Sequence, residues 1–345
     1  MQALVLVGGE GTRLRPLTSN LPKPAIRLVD RPFMRFMVEW LARHGVDEVV
    51  LACGFKADRL RAVLGDGGDG GPRLRYVEEP EPRGTAGAIK FAEDRLEERF
   101  LALNGDVLTD LDLTALIHHH EAAGAVATLG LYPVDDPTGY GLISTDGDGR
   151  ITEFLEKPEP GHAGAGEINA GTYVLERSVL ESIPADRAVS IEREVFPQMV
   201  GAGLHGLRLE GYWMDIGTPE RYLQASWDIL ERRVETAVAD RLGGDGLLVE
   251  AEAEVEPGAL LTGPALVESG ARVATGASVG PRAVIARGCD VGAEARVEGS
   301  VLHDGCRVGE GAVLRGAILA PGAEVAAGAV LEHGVIGEGE LVARR

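Results

Sequence analysis

From residue 255 onward, aliphatic side chains fall on every sixth position: Val255, Leu261, Val267, Val273, Val279, Ile285, Val291 and Val297, with glycine and alanine dense between them. A helix cannot keep that period, and neither can an ordinary strand, whose side chains alternate between two faces. A stack of triangular coils can. Each hexad supplies one short strand side, and its aliphatic residue points into a shared interior. Leu302, Val308 and Leu314 hold the same spacing, as do Leu319, Val325 and Leu331, but one residue is dropped between the groups, so a rung shortens from eighteen residues to seventeen. About five coils fit between residue 250 and the C-terminus, enough for neighbours to bury one another's apolar faces.

The earlier part of the chain follows a different pattern. Short β-branched runs at Ala3–Val7, Glu48–Cys53, Leu74–Val77, Phe100–Leu103, Val126–Leu129 and Thr172–Leu175 alternate with helical stretches at Phe33–His44, Asp58–Leu64, Ala86–Leu96 and Leu113–Ala123. Such alternation implies an α/β domain, a Rossmann-like, mostly parallel sheet covered on both faces, with ligands at the carboxyl ends of its strands. Thr218-Pro219-Glu220 opens a long helix, with Thr as N-cap and Pro in the first turn. Gly243-Gly244-Asp245-Gly246 reads as a hinge. The expected organisation is therefore an α/β domain over 1–235, a linker over 236–249, and a left-handed parallel β-helix over 250–345.

The junction after the first strand carries the chemistry. Residues 8–18 read GGEGTRLRPLT, a glycine-rich loop with two arginines, placed where backbone N–H groups can approach an anion closely. It lacks the Lys-Ser/Thr of a P-loop and the third glycine of a dinucleotide fingerprint, since Thr12-Arg13 follows Gly11 and Leu14 stands where that glycine would be. A tight surface turn remains an alternative for such a loop taken alone. The formal net charge of −20 argues against nucleic acid or an anionic membrane as partner, so a bound nucleotide needs local cations and metal. Cys53, Cys289 and Cys306 show no paired spacing and read as buried, reduced thiols in a cytoplasmic protein. No apolar run is long enough to span a bilayer, and Met1 leads into the first strand without a charged leader, so neither a membrane span nor a signal peptide is expected.

Further strings follow in order. They are Pro22-Lys23-Pro24, Glu78-Glu79-Pro80-Glu81-Pro82-Arg83-Gly84-Thr85-Ala86-Gly87-Ala88, Leu103-Asn104-Gly105-Asp106, Phe154-Leu155-Glu156-Lys157-Pro158, Ile168-Asn169-Ala170-Gly171, Ser190-Ile191-Glu192-Arg193-Glu194-Val195-Phe196-Pro197 and Trp213-Met214-Asp215-Ile216-Gly217. Together with the loop they resemble the sugar-nucleotide pyrophosphorylases, nucleotidyltransferases that join a sugar 1-phosphate to a nucleoside triphosphate. Among these the strings look nearest to the mannose-1-phosphate guanylyltransferases. Arg83 departs from the apolar residue expected at its place.

In the reaction this resemblance implies, a sugar-phosphate oxygen attacks the α-phosphorus in line with departing pyrophosphate. The nucleophile is already an anion, so charge neutralisation and alignment matter more than a general base. The resemblance implies Mg²⁺ held by Asp106 and Asp215, carboxylates suited to a hard cation. Arg13, Lys23, Asp106 and Lys157 would be catalytic. Gly8, Gly9, Gly11, Thr12, Arg13, Lys23, Glu79, Gly84, Thr85 and Asp106 would bind nucleotide. Gly141, Glu156, Lys157, Asn169 and Gly171 would bind the sugar phosphate. Each has a plainer reading, with Asp106 and Asp215 capping turns and Lys157 a loop lysine.

Glu79 favours GTP, because a carboxylate can accept from guanine N1–H and the 2-amino group together, whereas uracil and thymine offer one donor. Mannose 1-phosphate follows by resemblance. Thymidylyl-, uridylyl- or adenylyl transfer to glucose 1-phosphate or another sugar phosphate stays open, as does a non-catalytic regulatory subunit. His303 and His333 raise an additional acyltransferase activity, against which surface histidines are the preferred reading. His118-His119-His120 reads as a solvated helix face. The β-helix is expected to carry a homo-oligomer interface.

Overall fold

The computed structural model describes residues 1–54, 56–68, 70–137, 139–156 and 166–344, the side chain of Glu156 excepted. Two compact units emerge. One comprises residues 1–9 and 34–213, the other residues 10–33 and 214–345. The segment 10–33, expected in the α/β domain, thus groups with the C-terminal part of the chain.

The first unit is built on a nine-stranded sheet. Its elements are β1 (Gln2–Leu6), α1 (Phe33–Arg43), β2 (Glu48–Cys53), α2 (Ala57–Leu64), β3 (Arg73–Glu78), α3 (Gly84–Phe91), β4 (Arg99–Asn104), β5 (Val107–Thr109), α4 (Leu113–Ala123), β6 (Ala127–Val134), β7 (Gly141–Thr145), β8 (Ile151–Glu156), β9 (Gly166–Glu176) and β10 (Leu204–Arg208). Strand order along the main path is β8-β7-β9-β4-β1-β2-β3, with β6 joining β9 to β10. Ala3, Leu4 and Val5 are fully buried, as a central parallel strand covered on both faces requires. β1 pairs in parallel with β2 on one edge and with β4 on the other.

The chain steps outward from β1 to β2 and β3, then returns across the sheet to β4. Strand order therefore reverses between β1 and β4, and the carboxyl ends of those two strands flank a crevice suited to ligand. Helix α3 ends at Phe91 and a 3₁₀ turn, Glu93–Arg95, completes the stretch expected to be helical through Leu96. Ala86, Ile89 and Ala92 pack into the same core as Leu4, Val50, Phe100 and Tyr173.

In the second unit, residues 247–342 stack as three parallel sheets of six, six and five strands, the architecture expected of a β-helix and consistent with its left-handed class. The expected aliphatic residues Val267, Val273, Val279, Ile285, Val291, Val297, Leu302, Val308, Leu314, Leu319 and Val325 form one buried column. Ala265 pairs with Ala283, eighteen residues on, whereas Val301 pairs with Ile318, seventeen on. The shortening occurs at one corner. Thr262-Gly263-Pro264 and Gly280-Pro281-Arg282 separate strands in the longer rungs, while Gly299-Ser300 and Gly316-Ala317 suffice in the shorter ones.

On the solvent side, Glu254, Arg272, Asp290, Arg307 and Glu324 stand in register on successive coils. Their signs alternate, which avoids the repulsion that like charges would suffer directly opposite one another. Where a linker over 236–249 was expected, the chain is structured. A helix at Ala237–Arg241 is capped by the Thr236 side chain, and Leu247–Val249 is already a β-helix strand paired with Ala265–Val267. The four-residue stretch read as a hinge closes as a turn, Gly246 N–H donating to Gly243 O at 2.9 Å and Gly243 N–H to Leu247 O at 2.8 Å.

Leu302 is wholly buried and Val63 is 37% exposed. Leu302→Ala should therefore lower the unfolding free energy by about 2–5 kcal/mol, and Val63→Ala should change it by no more than about 0.5 kcal/mol, as measured by urea titration followed by circular dichroism.

Candidate active site

The glycine loop leaves the sheet where β1 ends, and exposed Gly8 and Gly9 follow after buried Val7. Leu6 of β1 is the register partner of Asn104 of β4. The next residue, Gly105, donates its N–H to Leu6 O at 2.9 Å. A Cβ at position 105 would lie 2.6 Å from both Leu6 O and Val7 Cγ1, so the turn presses on β1 in a way only glycine permits. Asp106, half-buried, is delivered one residue beyond that contact. From the other side Gly54, after β2, packs against Gly8, with a Cβ there 3.0 Å from Gly8 O. Gly8, Gly54 and Asp106 thus stand at the carboxyl ends of three adjacent parallel strands.

Glu79 follows β3 at the same edge. Its Oε2 accepts the Arg83 N–H at 3.1 Å, and a Cβ on Gly8 would lie 3.8 Å from its Oε1. Burial pushes its carboxyl above the usual range, with the Arg83 N–H and guanidinium opposing. A desolvated carboxylate of this kind gains from additional N–H donors.

Gly84 adopts φ +70, and a Cβ there would meet Val189 O at 2.6 Å. Thr85 is fully engaged in holding this segment, its hydroxyl donating to Glu192 at 2.7 Å and accepting from Ile191 N–H at 2.8 Å. Glu192 also accepts from Ser190 at 2.7 Å, and residues Ile191–Val195 form a π-helical turn. The Ser190–Pro197 string therefore clamps the loop that carries Gly84 and Thr85. Arg83 reaches Ala185 O at 3.0 Å and lies over the Phe91 ring at 4.9 Å, which gives its departure from an apolar residue a packing role.

At the expected sugar-phosphate side, Gly141 and Glu156 are register partners on β7 and β8. Lys157 lies outside the described residues. The Asn169 carboxamide bridges locally, Nδ2 donating to the Tyr173 hydroxyl at 2.9 Å and Oδ1 accepting from Gly171 N–H at 3.0 Å. Gly171 adopts φ +70, and a Cβ there would strike Asn104 Nδ2 at 2.6 Å. Trp213 donates to Ala170 O at 2.8 Å and stacks on Tyr132, with Tyr140 edge-on at 5.5 Å. This aromatic wall, together with Glu192, was not singled out from sequence spacing.

The second unit assembles the other expected residues. Gly11 adopts φ +61, and a Cβ would approach Thr18 Cγ2 at 2.9 Å and Lys23 Cβ at 3.2 Å. Thr18 also donates to Gly11 O at 2.8 Å. The loop thereby folds back on itself, carrying Thr12 and Arg13 on an exposed 3₁₀ turn, Thr12–Leu14, and burying Lys23. Lys23 Nζ stands 3.8 Å from Asp215 Oδ1, and Arg221 donates to Asp215 Oδ2 at 2.9 Å. Arg13 reaches the same place, since a Cβ on Gly217 would lie 2.8 Å from its guanidinium and 3.1 Å from Asp215 Oδ1. Three cations around one carboxylate form a charge-dense, partly buried corner. Arg221 was missed from sequence. It follows the Thr218 cap of the helix Pro219–Leu230, α6 when numbered after the short helix α5 at Phe196–Met199.

Asp106 and Asp215 both offer hard oxygen donors suited to Mg²⁺, which commonly takes only one or two protein carboxylates beside waters and substrate phosphates. Among the described residues no cluster of three or more His, Cys, Asp or Glu gathers as a metal site.

Two histidine expectations are corrected. His120 is wholly buried, paired to Thr128 at 2.8 Å and Glu176 at 3.0 Å, while His118 is exposed. Consecutive helical residues point about 100° apart, so three histidines in a row cannot share one face. His303 is buried as well, its Nε2 3.1 Å from the Tyr222 hydroxyl. A ring covered in this way is not the surface histidine expected at a coil edge. His333 is exposed as expected.

With this geometry, the chain belongs to the nucleotidyl transferase family, whose profile matches residues 2–232. Residues 261–344 match the GMPPB C-terminal domain. The mannose-1-phosphate guanylyltransferase of Mycobacterium tuberculosis is 40% identical over 267 residues, 76% of this chain and 74% of that protein. The mannose-1-phosphate guanylyltransferase catalytic subunit beta of Danio rerio is 36% identical over 267 residues, 76% of this chain and 73% of that protein. The crystal structure of HddC from Yersinia pseudotuberculosis complexed with GMP-PN aligns with a TM-score of 0.56 at 32% identity, covering 65% of this chain and 97% of HddC.

Burial, aided by the Arg27 charge, pushes the His303 imidazole from 6.5 down to about 3. Between those values the unfolded chain holds a proton that the folded chain does not. The stability that neutral His303 contributes is therefore complete above the unfolded value and falls as pH drops from there toward the folded one. His303→Asn should flatten the fall in thermal midpoint between about pH 6.5 and about pH 4, measured by differential scanning calorimetry.

Proposed function

We propose that this chain transfers the guanylyl group of GTP to mannose 1-phosphate, forming GDP-mannose and releasing pyrophosphate. The observation that carries the reading is the 40% identity, over 76% of the chain, to a mannose-1-phosphate guanylyltransferase. Glu79 supports the choice of base, as a desolvated carboxylate at the carboxyl edge of the sheet with Oε1 turned toward Gly8.

In this reaction a phosphate oxygen of mannose 1-phosphate forms a bond to the α-phosphorus, and the bond from that phosphorus to the oxygen bridging the β-phosphate breaks. When bound, Mg²⁺ supplies charge neutralisation and in-line alignment. Asp106 and Asp215 are its proposed ligands, with Arg221 orienting Asp215. Arg13 and Lys23 hold the triphosphate and offset the negative charge that grows on departing pyrophosphate. The backbones of Gly8, Gly9, Gly11, Thr12, Gly84 and Thr85 line the nucleotide. Lys157 grips the sugar phosphate, and Gly141, Glu156, Asn169 and Gly171 shape the sugar pocket.

A cytoplasmic location is part of the same reading, supported by three buried, free cysteines. Among the described residues no helix is long and apolar enough to cross a membrane. A homo-oligomer formed through the β-helix is supported by Leu260, Val330 and Leu341, exposed at 61%, 62% and 64% on the outermost coils. Light scattering after size exclusion should give more than one copy, and a strict monomer would remove that part.

Turnover of five nucleoside triphosphates against mannose, glucose and N-acetylglucosamine 1-phosphates tests substrate choice, with GTP and mannose 1-phosphate expected to lead. Glu79→Gln should weaken discrimination for GTP by about 10–100-fold, the scale of one lost bidentate base contact. Asp106→Ala and Asp215→Ala should each lower kcat by about a hundredfold or more, comparable to removing one fixed stabiliser of transition-state charge. Normal turnover by either Asp variant would refute the ligand assignment.

A further inference from the structure

We infer that the β-helix is a positioning body for the triphosphate-handling residues, acting on Asp215, Lys23 and Arg13 through Tyr222, Arg27, Glu268 and His303. The inference rests on the reading above for the identity of the reaction, and on the geometry of the second unit for the rest.

Arg13 and Lys23 belong to the segment 10–33, which groups with the β-helix. Arg27 anchors that segment. Its guanidinium pairs with Glu268, only 1% exposed, and with Asp304 at 3.1 Å. The segment's other arms reach the same unit, with Asn20 donating to Glu338 at 2.8 Å and Arg241 pairing with Asp30 at 3.0 Å.

Tyr222 ties this anchor to α6. Its hydroxyl donates to Arg27 O at 2.6 Å and lies 3.1 Å from His303 Nε2. A backbone carbonyl only accepts, so the one hydroxyl proton goes to Arg27 O and His303 must present Nε2–H to the hydroxyl oxygen. The tautomer is thereby assigned, and the neutral imidazole fits its burial.

The next residue toward the helix N-terminus is Arg221, which holds Asp215 at 2.9 Å beside Lys23. Farther along α6, Trp227 Nε1 donates to Gly299 O at 3.1 Å, and Arg282 pairs with Glu231 while lying over the Trp227 ring at 5.3 Å. One side of the helix is thus fixed to the coils, and its first turn fixes the carboxylate.

A plain packing interface would not need these residue types. A buried Arg–Glu pair stabilises poorly compared with apolar residues of the same volume, because desolvation consumes most of the Coulombic gain. What it provides is direction. Positions an ångström out of place cost large factors in phosphoryl chemistry, so a directional anchor below Arg13, Lys23 and Asp215 is what the reaction needs.

Tyr222→Phe tests this by removing one hydroxyl and nothing else. We expect kcat/KM for GTP to fall about tenfold or more, with KM for mannose 1-phosphate within about twofold of wild type. Affinity for inorganic pyrophosphate, measured by calorimetry, should fall in parallel. Ser226→Ala removes a buried hydroxyl from the same helix, one that donates back to Tyr222 O at 2.9 Å, and should leave both readouts unchanged. Glu268→Gln, which removes the charge facing Arg27 at constant length, should repeat the Tyr222→Phe pattern and serves if the first variant folds poorly.

A lower thermal midpoint in Tyr222→Phe with GTP turnover and pyrophosphate affinity within about twofold of wild type would overturn the inference. Wild-type protein that turns over no GTP with mannose 1-phosphate would refute the proposed reaction instead, and pyrophosphate affinity of the variants would still decide the positioning role.

Discussion

The contact on which the first unit's chemistry depends is the closure of Gly105 on the end of β1. Parallel pairing on both edges of β1 brings Leu6 level with Asn104, and the Gly105 N–H then caps Leu6 O at 2.9 Å. The same step that satisfies a backbone carbonyl at the rim of a buried sheet sends Asp106 out beside the loop opening at Gly8. Because strand order reverses there, no crossover helix fills the crevice, and the site follows from topology before any side chain is considered.

The second unit solves a different problem. A chain of net charge −20 repels nucleotides at long range, so anions must be met by cations held at fixed places. Lys23 and Arg221 converge on Asp215 and Arg13 lies beside it, so the carboxylate holds the cations together and limits their mutual repulsion. Lys23 is only 7% exposed. A buried ammonium of this kind needs a partner, and Asp215 Oδ1 at 3.8 Å provides one.

Much of this was legible in the residues. The strand Glu48–Cys53 and the helix Leu113–Ala123 match their expected bounds, because a fully apolar run and an Asp-capped, glycine-terminated run have few other uses. The hexad period was legible for the same reason: each coil repeats one packing problem. What spacing could not show is pairing at a distance. Lys23 and Asp215 are far apart in sequence, and only resemblance linked their roles. Glu192 lay inside a recognised string, yet its role as acceptor for Thr85 and Ser190 requires a fold that brings α3 to the π-helical turn. His120 was misjudged because three like residues read as one face, although the helix turns them apart.

The missed burial of His303 shows how a repeat hides its exceptions. Polar coil residues one step beyond an inward aliphatic, such as Thr262, Glu298, Arg315 and Glu332, are exposed, and His303 follows Leu302 in the same way. Its backbone obeys the repeat, its N–H donating to Leu319 O at 2.9 Å. Its side chain does not, because Tyr222 covers it with a stacked ring, centroids 6.2 Å apart. Glu268 departs from the pattern similarly, following Val267 yet buried against Arg27. Both exceptions lie on coil positions that meet α6 or the segment 10–33. A solenoid is indifferent to what its outer positions carry until something docks on them, so polar residues buried at outer positions mark the docked face. Here that face holds the elements bearing Lys23 and Arg221.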